Sequence, residues 1–554
     1  MNTINVPYLI VGAGPVGLTA AHLFAAADRP CLVVERRDGP QRHPAAHVVN
    51  ARTLEVFRQA GIDMDAVHAL ANPPEDAGHV NFVTRLNGEL IGRLPFERQG
   101  PEVLDVTPTP LRNISQHRLE PVLAAATAAT IDLRYEHEWL MSEQDDDGVT
   151  SIIRDRSTGH EFAVRSDYVL AADGASSRVR KSLGINMIGP PSLQSFIAIH
   201  FAASELRPLI ADRLGVLHFV MDPTVSGTFI AHDLDREWVF MTAFDPENES
   251  VDDFDHDRAA AIVHAAIGAD DVELDVVSVG SWHMSAQVAE RMREGRIFLM
   301  GDAAHRFPPT GGLGLNTGVA DAQGLVWRLD AIAAGWADTT ILDSYEIERR
   351  PVAGVNCEQS MTNAFKLTTL IDALGIATDP TSEGVLARLA DPEHTESIAA
   401  AVQEQQTHFD MLGLQLGYCY ADGALARDGD PPPPITDPSD FAPHAEVGAR
   451  LPHAWLDDGR STLDLVDRGA MTLFSLGEHD KWAASLADAE TPVSHVRMGI
   501  DAIANDTWAS TCQLRPGGAL LVRPDQHVAW RSDSIAAPGP AGVGAALDQV
   551  LRAR

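Results

Sequence analysis

Hydrophobic and polar positions follow one another along the N-terminal segment in an order that predicts a strand, a turn, a helix and a second strand. A short apolar run at residues 7–11 precedes a glycine-rich turn, and an alanine- and leucine-rich stretch from Leu18 to Ala27 follows it. The next apolar run, Cys31 to Val34, ends at Glu35. These elements form a compact βαβ unit. The sequence therefore predicts an α/β fold that begins with a doubly wound, Rossmann-type sheet.

Later parts of the chain have other patterns. Short alternating segments at roughly 75–110 and 190–245 are typical of strands, and they predict a second, mainly antiparallel sheet. The tract 319–425 is rich in Ala, Leu and Glu, which predicts consecutive helices. Pro431 to Pro434 cannot continue a helix, and further strand patterns follow within 440–554. We therefore predict a boundary at the prolines and a small α/β domain after it.

Length and charge narrow the class of protein. A chain of 554 residues exceeds what one hydrophobic core usually serves, so two or three domains are expected. The formal net charge of −36 would repel nucleic acid phosphates and anionic lipid heads, and we expect no nucleic acid and no membrane partner. No apolar stretch reaches about 18 uninterrupted residues, and no basic segment precedes an apolar run at the N-terminus. We therefore predict a cytoplasmic protein.

The four cysteines are scattered along the chain as Cys31, Cys357, Cys419 and Cys512. They form no CxxC pair, and none has a histidine partner at the spacing of metal ligands. We therefore predict no metal site and no dithiol redox centre, in a protein suited to a reducing compartment.

A dinucleotide-binding motif occupies the first turn. The sequence Gly12-Ala13-Gly14-Pro15-Val16-Gly17 fits GxGxxG directly after a strand and at the head of a helix. The glycines permit a tight turn and a close approach to a pyrophosphate, whose charge the helix N-terminus stabilises. Glu35 lies 18 residues beyond Gly17, where a carboxylate can accept hydrogen bonds from ribose hydroxyls. Together these residues predict a site for an ADP-containing dinucleotide.

A second pair of motifs lies near residue 300. The segment Gly295 to His305 is a strand that delivers Asp302 at its C-terminal end, and a glycine-dense loop from Pro308 to Gly318 opens the next helix. An aspartate in that position can bind a polyol chain. The N–H groups of the loop and the dipole of the helix can stabilise negative charge on a flavin ring. With GxGxxG, this arrangement predicts a flavin.

The third motif is Asp173-Gly174, which follows a strand-like run and precedes a basic stretch. In their order along the chain the three motifs resemble the flavin-dependent aromatic hydroxylases, the p-hydroxybenzoate and phenol hydroxylase family. The resemblance covers nearly the whole chain. It is most specific at Gly301 to Gly318 and at Asp343 to Pro351. Within the family the chain is most similar to phenol monooxygenases of the 2,4-dichlorophenol type, through Asn50 to Phe57 and Gln116 to Leu123.

The resemblance implies a p-hydroxybenzoate hydroxylase-like architecture. Its parts would be a discontinuous FAD-binding domain at 1–75, 110–185 and 285–355, a substrate-binding domain at 76–109 and 186–284, a helical segment at 356–430, and a thioredoxin-like C-terminal domain at 440–554. Cys512 is the only cysteine of that last domain, so it cannot perform dithiol chemistry. We expect its role to be structural or dimer-forming, in a homodimer.

The resemblance also implies which residues hold the cofactor. The expected FAD-binding residues are Gly12, Gly14, Pro15, Val16, Gly17, Glu35, Arg36, Arg52, Gln116, Asp173, Gly174, Gly301, Asp302, Pro309, Gly312, Gly314, Leu315 and Asn316. Asp302 would hold the ribityl chain, with Gln116 binding it from a second element. The backbone of Leu315 and Asn316 would contact the isoalloxazine. Asp173 with Gly174 would serve both FAD and the nicotinamide cofactor.

One departure from the family concerns the segment after the second strand. Where the family commonly has Pro-Arg-Ala, this chain has Pro44-Ala45-Ala46, so an arginine that elsewhere faces the FAD phosphates or the nicotinamide cofactor is missing. Arg36, Arg42 or Arg52 are the candidates to compensate. The choice between NADH and NADPH as electron donor stays open.

By the same resemblance, NADH or NADPH reduces FAD, O₂ is the co-substrate, and a flavin C4a-hydroperoxide transfers oxygen to a small phenolic ring ortho or para to its hydroxyl. A phenol reacts faster as phenolate, which calls for a base or a hydrogen-bond acceptor near that hydroxyl. The candidate catalytic residues are His47, Asn50 and Pro308, with His200, His218 and His232 on the second sheet as further possible acceptors. We favour His47, because the segment after the second strand often borders the flavin in this family.

Two alternatives stay open at this point. One is a flavin-dependent epoxidase or Baeyer–Villiger-type oxygenase on the same scaffold. The other is a flavin-binding redox sensor without enzymatic activity. The sequence leaves open the identity of the aromatic substrate, the ring position attacked and whether the pathway is catabolic or biosynthetic.

Overall fold

A computed structural model describes residues 3–126, 130–487, 489–505, 507–533 and 542–552. Within these residues the strands are, in chain order, β1 (Thr3–Val11), β2 (Cys31–Val34), β3 (Val48–Val49), β4 (His79–Val83), β5 (Leu90–Pro95), β6 (Arg112–Asn113), β7 (Ile131–Arg134), β8 (His137–Asp145), β9 (Gly148–Asp155), β10 (Glu161–Ala171), β11 (Met187–Ile188), β12 (Gln194–Ala202), β13 (Leu217–Val220), β14 (Gly227–Asp233), β15 (Glu237–Phe244), β16 (Asp275–Met284), β17 (Gln287–Ala289), β18 (Arg293–Glu294), β19 (Ile297–Leu299), β20 (His305–Arg306), β21 (Met471–Leu476), β22 (Val493–Met498), β23 (Gly518–Val522) and β24 (Val528–Ser532).

The α-helices of the same residues are α1 (Pro15–Ala26), α2 (Ala51–Gln59), α3 (Met64–His68), α4 (Pro74–Ala77), α5 (Gln116–Ala125), α6 (Arg178–Ser182), α7 (Leu206–Leu209), α8 (His256–Ile267), α9 (Leu313–Ala333), α10 (Asp343–Ala373), α11 (Ser382–Ala390), α12 (Thr395–Glu404), α13 (Leu412–Leu416), α14 (His479–Ser485), α15 (Trp508–Thr511) and α16 (Gly542–Leu551). In the part of the chain that is described, no helix combines the length and the apolar content that crossing a bilayer requires.

The first sheet confirms the predicted Rossmann-type start of the chain. Its order is β18-β19-β10-β1-β2-β7, and β1 runs parallel to both β10 and β2. Strands β9 and β8 extend it from β10 in antiparallel pairing. Leu9, Ile10, Leu32 and Val33 have no exposed surface. Burial on both faces explains why these strands are continuous apolar runs. Because β1, β2, β10 and β19 run parallel, their carboxyl ends lie at one edge of the sheet.

The second sheet confirms the predicted antiparallel unit. Its order is β16-β12-β15-β14-β13-β4-β5, and only β13 and β4 pair in parallel among its described strands. Along β12, Ile197, Ile199 and Phe201 are fully buried, whereas Phe196 and His200 on the other face are half-buried. This alternation with a period of two residues gives the sheet one face in a hydrophobic core and one partly exposed face.

The predicted helical tract contains α9 to α13. Helix α10 is 31 residues long and contains Pro351 in its interior. It packs against α9, α12 and the adjoining turns, so it links the first sheet with the helices that cover β5. The run Pro431–Pro434 has neither helix nor strand, as the sequence predicts.

The C-terminal unit has the strand arrangement of a thioredoxin-like fold. Its sheet has the order β22-β21-β23-β24, with β21 parallel to β22 and β23 antiparallel to both its neighbours. Helices α14 and α16 follow β21 and β24. Cys512 is fully buried in the hydrophobic core of this unit, so its burial adds to the sequence argument against dithiol chemistry.

Buried ion pairs join the C-terminal unit to α10. Arg523, which follows β23, donates to Glu348 at 2.7 and 2.8 Å and also to Asp525. Glu348 lies on α10 and is also paired with Arg328 of α9 at 2.6 Å. All four side chains are at most 1% exposed. A second cluster, in which Glu55 of α2 binds both Arg52 and Arg450, lies at the same interface. The units therefore fold against one another as parts of one body.

We predict that Arg523→Met destabilises the protein by about 3–5 kcal/mol, because removal of one member leaves the buried Asp525 carboxylate without its guanidinium partner. The measurement is the denaturation midpoint of the first unfolding transition. The control is Arg497→Met in the same unit, whose ion pair with Asp501 is largely exposed and worth about 1 kcal/mol or less. Equal midpoints for the two variants would contradict the role of the buried pairs.

Candidate active site

The glycine turn after β1 is shaped for a close approach to a ligand. Gly12 has a φ of +108°, and a Cβ atom there would lie 2.2 Å from the carbonyl oxygen of Ala172. At Gly17 a Cβ atom would lie 1.9 Å from the carbonyl oxygen of Gly12. Helix α1 begins at Pro15 with Gly14 as its N-cap and no side-chain cap. Its first N–H groups can therefore bind a pyrophosphate at the edge of the sheet.

Glu35 stands beside this turn at the end of β2. Its Oε2 accepts a hydrogen bond from the N–H of Ala13 at 3.0 Å, and its Oε1 accepts one from the N–H of Arg37 at 2.9 Å. Burial raises the pKa of Glu35, but these backbone donors and the Arg37 guanidinium outweigh burial and lower it. The carboxylate is thus ionised at neutral pH, with lone pairs left for ribose hydroxyls.

Asp302 lies in the one-turn 3₁₀ segment Gly301–Ala303 that follows β19. In the described part of the chain no donor forms a hydrogen bond to its carboxyl group. Asp302 is exposed to solvent, yet desolvation by the surrounding protein raises the pKa of its carboxyl group. The charges of His305 and Arg306 oppose this effect. A carboxyl group that is open and has no protein donor fits the predicted partner of a ribityl hydroxyl.

The turn that carries Asp302 is held by the buried carboxylate of Asp321 on α9. Its Oδ2 accepts from the N–H of Gly301 at 3.1 Å and from Nε2 of His305 at 2.7 Å, and its Oδ1 accepts from Nε of Arg349 at 2.8 Å. Burial raises the pKa of Asp321, but His305 and Arg349 outweigh burial and lower it. The sequence analysis missed Asp321. Its only signal was an acidic residue within the apolar part of a long helix.

The loop from Pro308 to Gly314 also lies at this edge. Pro308 is buried and Pro309 is exposed. Gly312 is the N-cap of α9, with a φ of +61° and no side-chain cap, and a Cβ atom there would lie 2.6 Å from Cβ of Val48. At Gly314 a Cβ atom would have no neighbour within 4 Å. The loop therefore presents bare backbone N–H groups, and Leu315 is half-buried behind it.

Asn50 and Asn316 have structural roles that the sequence analysis did not assign. Asn316 Oδ1 accepts from the N–H of Asn50 at 3.0 Å and from the hydroxyl of Thr53, while its Nδ2 donates to the carbonyl oxygens of Val48 and Gly312. Asn50 is the N-cap of α2 and accepts from the N–H of Thr53 at 2.9 Å. These bonds give the side chains of Asn50 and Asn316 structural partners within the protein.

Asp173 and Gly174 lie next to the glycine turn. Asp173 accepts hydrogen bonds from the hydroxyl of Ser177 at 2.5 Å and from the N–H groups of Arg178 and Val179. Burial raises the pKa of Asp173 despite these donors. Gly174 has a φ of +80°. Asp173 thus shapes the turn before α6.

Gln116 is the first residue of α5, and its Nε2 donates to Oε1 of Glu120 at 2.7 Å. Glu120 is fully buried and also accepts from the N–H of Gln41 and from the guanidinium of Arg37. A Cβ atom at Gly14 would lie 4.0 Å from the same carboxylate. Arg37 and Glu120, which the sequence analysis missed, therefore connect Gln116 with Glu35 and the glycine turn.

The three arginines expected to compensate for the missing one differ in their surroundings. Arg36 is exposed, and Arg42 is exposed and paired with Asp38 at 2.7 Å. Arg52 is buried and donates to Gln323 and to the carbonyl oxygen of Asp525 at 2.8 Å each. The interface with the C-terminal unit accounts for Arg52 without a cofactor.

His47 lies at the boundary between the two large sheets, and its ring has a defined protonation state. Nδ1 lies 3.0 Å from Oδ1 of Asn113, which can only accept, so Nδ1 carries the proton. The Asn113 amide is oriented by its Nδ2, which donates to Gln99. Burial lowers the pKa of His47, with the Asn113 bond opposing. In the described part of the chain nothing hydrogen-bonds Nε2, which is left as an unprotonated acceptor.

The histidines of the second sheet divide between its two faces. His232 stands edge to face with His47, with ring centroids 5.8 Å apart, and His200 lies on the same face. His218 is fully buried on the opposite face, bound to the carbonyl oxygen of Gly215 and packed near Trp238. The alternation of the strand therefore places His218 in the core, away from His47 and His232.

Known proteins are similar to the chain along its whole length. Residues 5–360 match the FAD binding domain family, and residues 444–553 match the aromatic-ring hydroxylase C-terminal family. The chain is 32% identical over 545 residues to a putative polyketide hydroxylase of Streptomyces halstedii. The match covers 95% of this chain and 93% of that protein. It is 30% identical over 587 residues to the 2,4-dichlorophenol 6-monooxygenase of Cupriavidus pinatubonensis, covering 99% and 97% of the two chains.

A solved structure gives the same result. The flavin-dependent monooxygenase PieE, in complex with FAD and substrate, matches with a TM-score of 0.93 at 35% identity, and the match covers both chains completely. The glycine turn, Glu35 and the open Asp302 carboxyl thus fit the cofactor that this relative binds.

We predict that Asp302→Ala weakens FAD binding about ten- to hundredfold, since a charge-assisted hydrogen bond is worth roughly 1.5–3 kcal/mol. The dissociation constant is measured by flavin fluorescence after reconstitution. The stability of the FAD-free protein should not fall, because Asp302 accepts no hydrogen bond in the described structure. Asp343→Ala, which removes an exposed carboxylate from the same unit, is the control, and equal FAD affinity in both variants would contradict the prediction.

Proposed function

The chain belongs to the FAD-dependent aromatic-ring hydroxylases, and on this premise we propose that it hydroxylates a fused-ring phenol with His47 as the base that receives the phenolic proton. It is an FAD-dependent monooxygenase of aromatic substrates that uses NAD(P)H and O₂. The proposal concerns what this chain's own residues add to that chemistry.

The observation that carries the proposal is the state of the His47 ring. Asn113 holds the proton on Nδ1, and burial keeps the ring neutral at pH 7. The free Nε2 can therefore accept a proton from a phenol that binds beside the His47 ring. When bound, FAD would accept the electrons of NAD(P)H and activate O₂. His47 takes the proton from the phenol's hydroxyl group. The resulting phenolate ring has a higher electron density at the carbon that is hydroxylated.

The shape of the second sheet favours a substrate with more than one ring. Five side chains occupy one face of the adjacent strands β16, β12, β15, β14 and β13. Trp282 pairs with Phe196, and Met241, Thr228 and Phe219 form a second row that is offset from this pair by two residues. All five side chains are half-buried. Adjacent strands lie about 4.8 Å apart, so this face extends about 19 Å. A single phenol would cover a fraction of it, whereas the putative polyketide hydroxylase among the relatives bears a name that implies larger substrates.

The proposal includes the cofactor contacts and domain boundaries that the sequence predicts. Gly12, Gly14, Glu35, Asp302 and the backbone of Leu315 are the proposed FAD contacts, supported by the open backbone and carboxyl groups described above. The four cysteines are all unpaired, which supports a reducing, cytoplasmic compartment. A homodimer is proposed as well, and light scattering of the purified protein tests it.

A substrate panel tests the function. NADH and NADPH consumption is measured with 2,4-dichlorophenol, 2-naphthol and 1,8-dihydroxyanthraquinone, and product mass is determined under ¹⁸O₂. We expect substrate-dependent consumption, one ¹⁸O atom in the product and the highest kcat/KM with a fused-ring compound. Highest efficiency with the single ring would contradict the proposed substrate class. Absence of labelled product from every phenol would contradict phenol hydroxylation.

We predict that His47→Ala lowers the hydroxylation rate about 10²- to 10⁴-fold, which is the usual contribution of a general base. FAD should stay bound, because the cofactor contacts lie in other segments, and NAD(P)H consumption should be diverted to hydrogen peroxide. The measurements are product yield per NAD(P)H and peroxide release. The control is His264→Ala on α8, a histidine whose ring is bound to the carbonyl oxygen of Val272. A loss of only a few-fold with intact coupling would make His47 a packing residue.

A further inference from the structure

Glu97 is a buried carboxyl group that the mechanism described above does not use. It lies two residues beyond β5, is 9% exposed and has a backbone φ of +53°. Residues with a Cβ atom rarely adopt this left-handed conformation, because Cβ approaches the following carbonyl oxygen. Where such strain persists, the surrounding contacts hold it in place, and strained residues are concentrated at functional sites. The contacts of Glu97 therefore indicate its role.

Three hydrogen bonds join Glu97 to the 409–415 segment, which contains most of α13. The N–H of Glu97 donates to the carbonyl oxygen of Phe409 at 2.6 Å. Its Oε2 accepts from the N–H of Met411 at 3.3 Å and from Nε2 of Gln415 at 2.9 Å. Two of the three bonds thus depend on the carboxyl group. Without it, only the backbone bond to Phe409 would remain.

The neighbours of this carboxyl group along the chain, the 96–99 segment, reach the proposed base. The ring of Phe96 stacks on that of His47, with centroids 6.3 Å apart. Gln99 donates to the carbonyl oxygen of Phe96 at 2.9 Å and accepts from Nδ2 of Asn113 at 3.2 Å. Asn113 in turn holds the proton on Nδ1 of His47. The 96–99 segment therefore positions the His47 ring.

The 409–415 segment reaches the glycine loop at the cofactor edge. Met411 is fully buried and packs with Leu313 and Leu414. A Cβ atom at Gly311 would lie 2.3 Å from Cε of Met411. The Met411 side chain therefore lies directly against the loop that presents bare backbone N–H groups.

We propose that Glu97 is a positioning residue whose carboxyl group ties the 96–99 segment beside His47 to the glycine loop at the cofactor edge. The link holds while the carboxyl group is neutral and loosens when it ionises. This inference rests on the proposed role of His47. A phenol that gives its proton to His47 must also keep the attacked carbon at a fixed place relative to the cofactor. A misplacement of about 1 Å can cost about 10²-fold in rate.

The charged groups that act on Glu97 are Asp410, from the facing segment, and Arg98, from its own. Burial raises the pKa of Glu97 to about 8. Asp410 acts in the same direction, whereas Arg98 and the bonds from Met411 and Gln415 oppose it. Arg98 also donates to Asp410 at 3.0 and 2.9 Å, so its charge is partly balanced there. The carboxyl group is therefore mostly neutral at pH 7, and its ionisation places a second negative charge beside Asp410.

The first test measures the link without substrate. The pKa of a solvated glutamate is 4.5, and that of Glu97 in the folded protein is about 8. Between these values the folded protein holds a proton that the unfolded chain has released, so stability falls as the pH rises. We expect the denaturation midpoint of the wild type to fall relative to that of Glu97→Gln through this range and to level off above about pH 8. A difference that is independent of pH would overturn the proposal.

The second test measures product formed per NAD(P)H over the same pH range, with the FAD-loaded enzyme and the phenol of the panel that is hydroxylated fastest. In Glu97→Gln the amide oxygen can accept the same two bonds at every pH. We expect the wild type to lose coupling relative to this variant as the pH passes about 8, with release of hydrogen peroxide. Glu97→Ala should lose coupling about tenfold or more already at pH 7.

The control is Glu404→Gln, which neutralises an exposed carboxylate at the end of α12. It should follow the wild type in both measurements. If Glu97→Gln does not retain FAD, Asp410→Asn takes its place. Removal of that neighbouring negative charge eases the ionisation of Glu97, so the alkaline loss of coupling should move to lower pH.

Two results of the second test would also overturn the link. They are the same pH dependence of coupling in the wild type and in Glu97→Gln, and wild-type coupling in Glu97→Ala. In either case the loss of hydroxylation in His47→Ala would still support the proposed function. If no phenol of the panel is hydroxylated, the proposed function fails, while the denaturation midpoints still decide whether the link exists.

Discussion

The buried carboxylate of Asp321 is the interaction on which the rest of the site depends. A charge removed from water is costly unless donors surround it, and Asp321 receives three, from Gly301, His305 and Arg349. Two of these donors lie at the ends of the turn that carries Asp302, and the third comes from α10. Removal of that carboxylate would free the turn at both ends at once. The open cofactor edge is therefore stabilised from inside the fold.

The same network of hydrogen bonds extends to the C-terminal unit. Arg349 also binds the hydroxyl of Tyr420 at 3.2 Å, and Glu348, the next residue on α10, binds Arg523. One turn of α10 thus faces the cofactor edge on one side and the thioredoxin-like unit on the other. The unit contacts α10 and α2 through buried ion pairs, and we expect its role to be structural.

What could be predicted from the sequence depended on how local each interaction is. The glycine turn, Glu35 and Asp302 could be predicted as site candidates because a strand, a turn and a helix follow one another within a few residues. Asp321 and Arg349 lie 28 residues apart, and His117 and Glu237 lie 120 apart, so their pairing has no local pattern. The N-cap role of Asn50 could not be separated from a catalytic role, because an asparagine before a helix can serve as either. The face that His218 occupies could not be predicted, because it depends on the exact strand boundaries.

The location of the histidines at the boundary between the units follows from the same geometry. The N–H of Ile114 binds the carbonyl oxygen of His47, and that of Gln116 binds Ala46, so the start of α5 is fixed to the His47 segment. Gln116 then points toward Glu120 and the glycine turn, while the next residue, His117, binds Glu237 of the second sheet. A shift of the substrate sheet relative to α5 would therefore disturb the His117–Glu237 contact and the cofactor edge together. The start of α5 therefore contacts the His47 segment, the residues around the glycine turn and the substrate sheet.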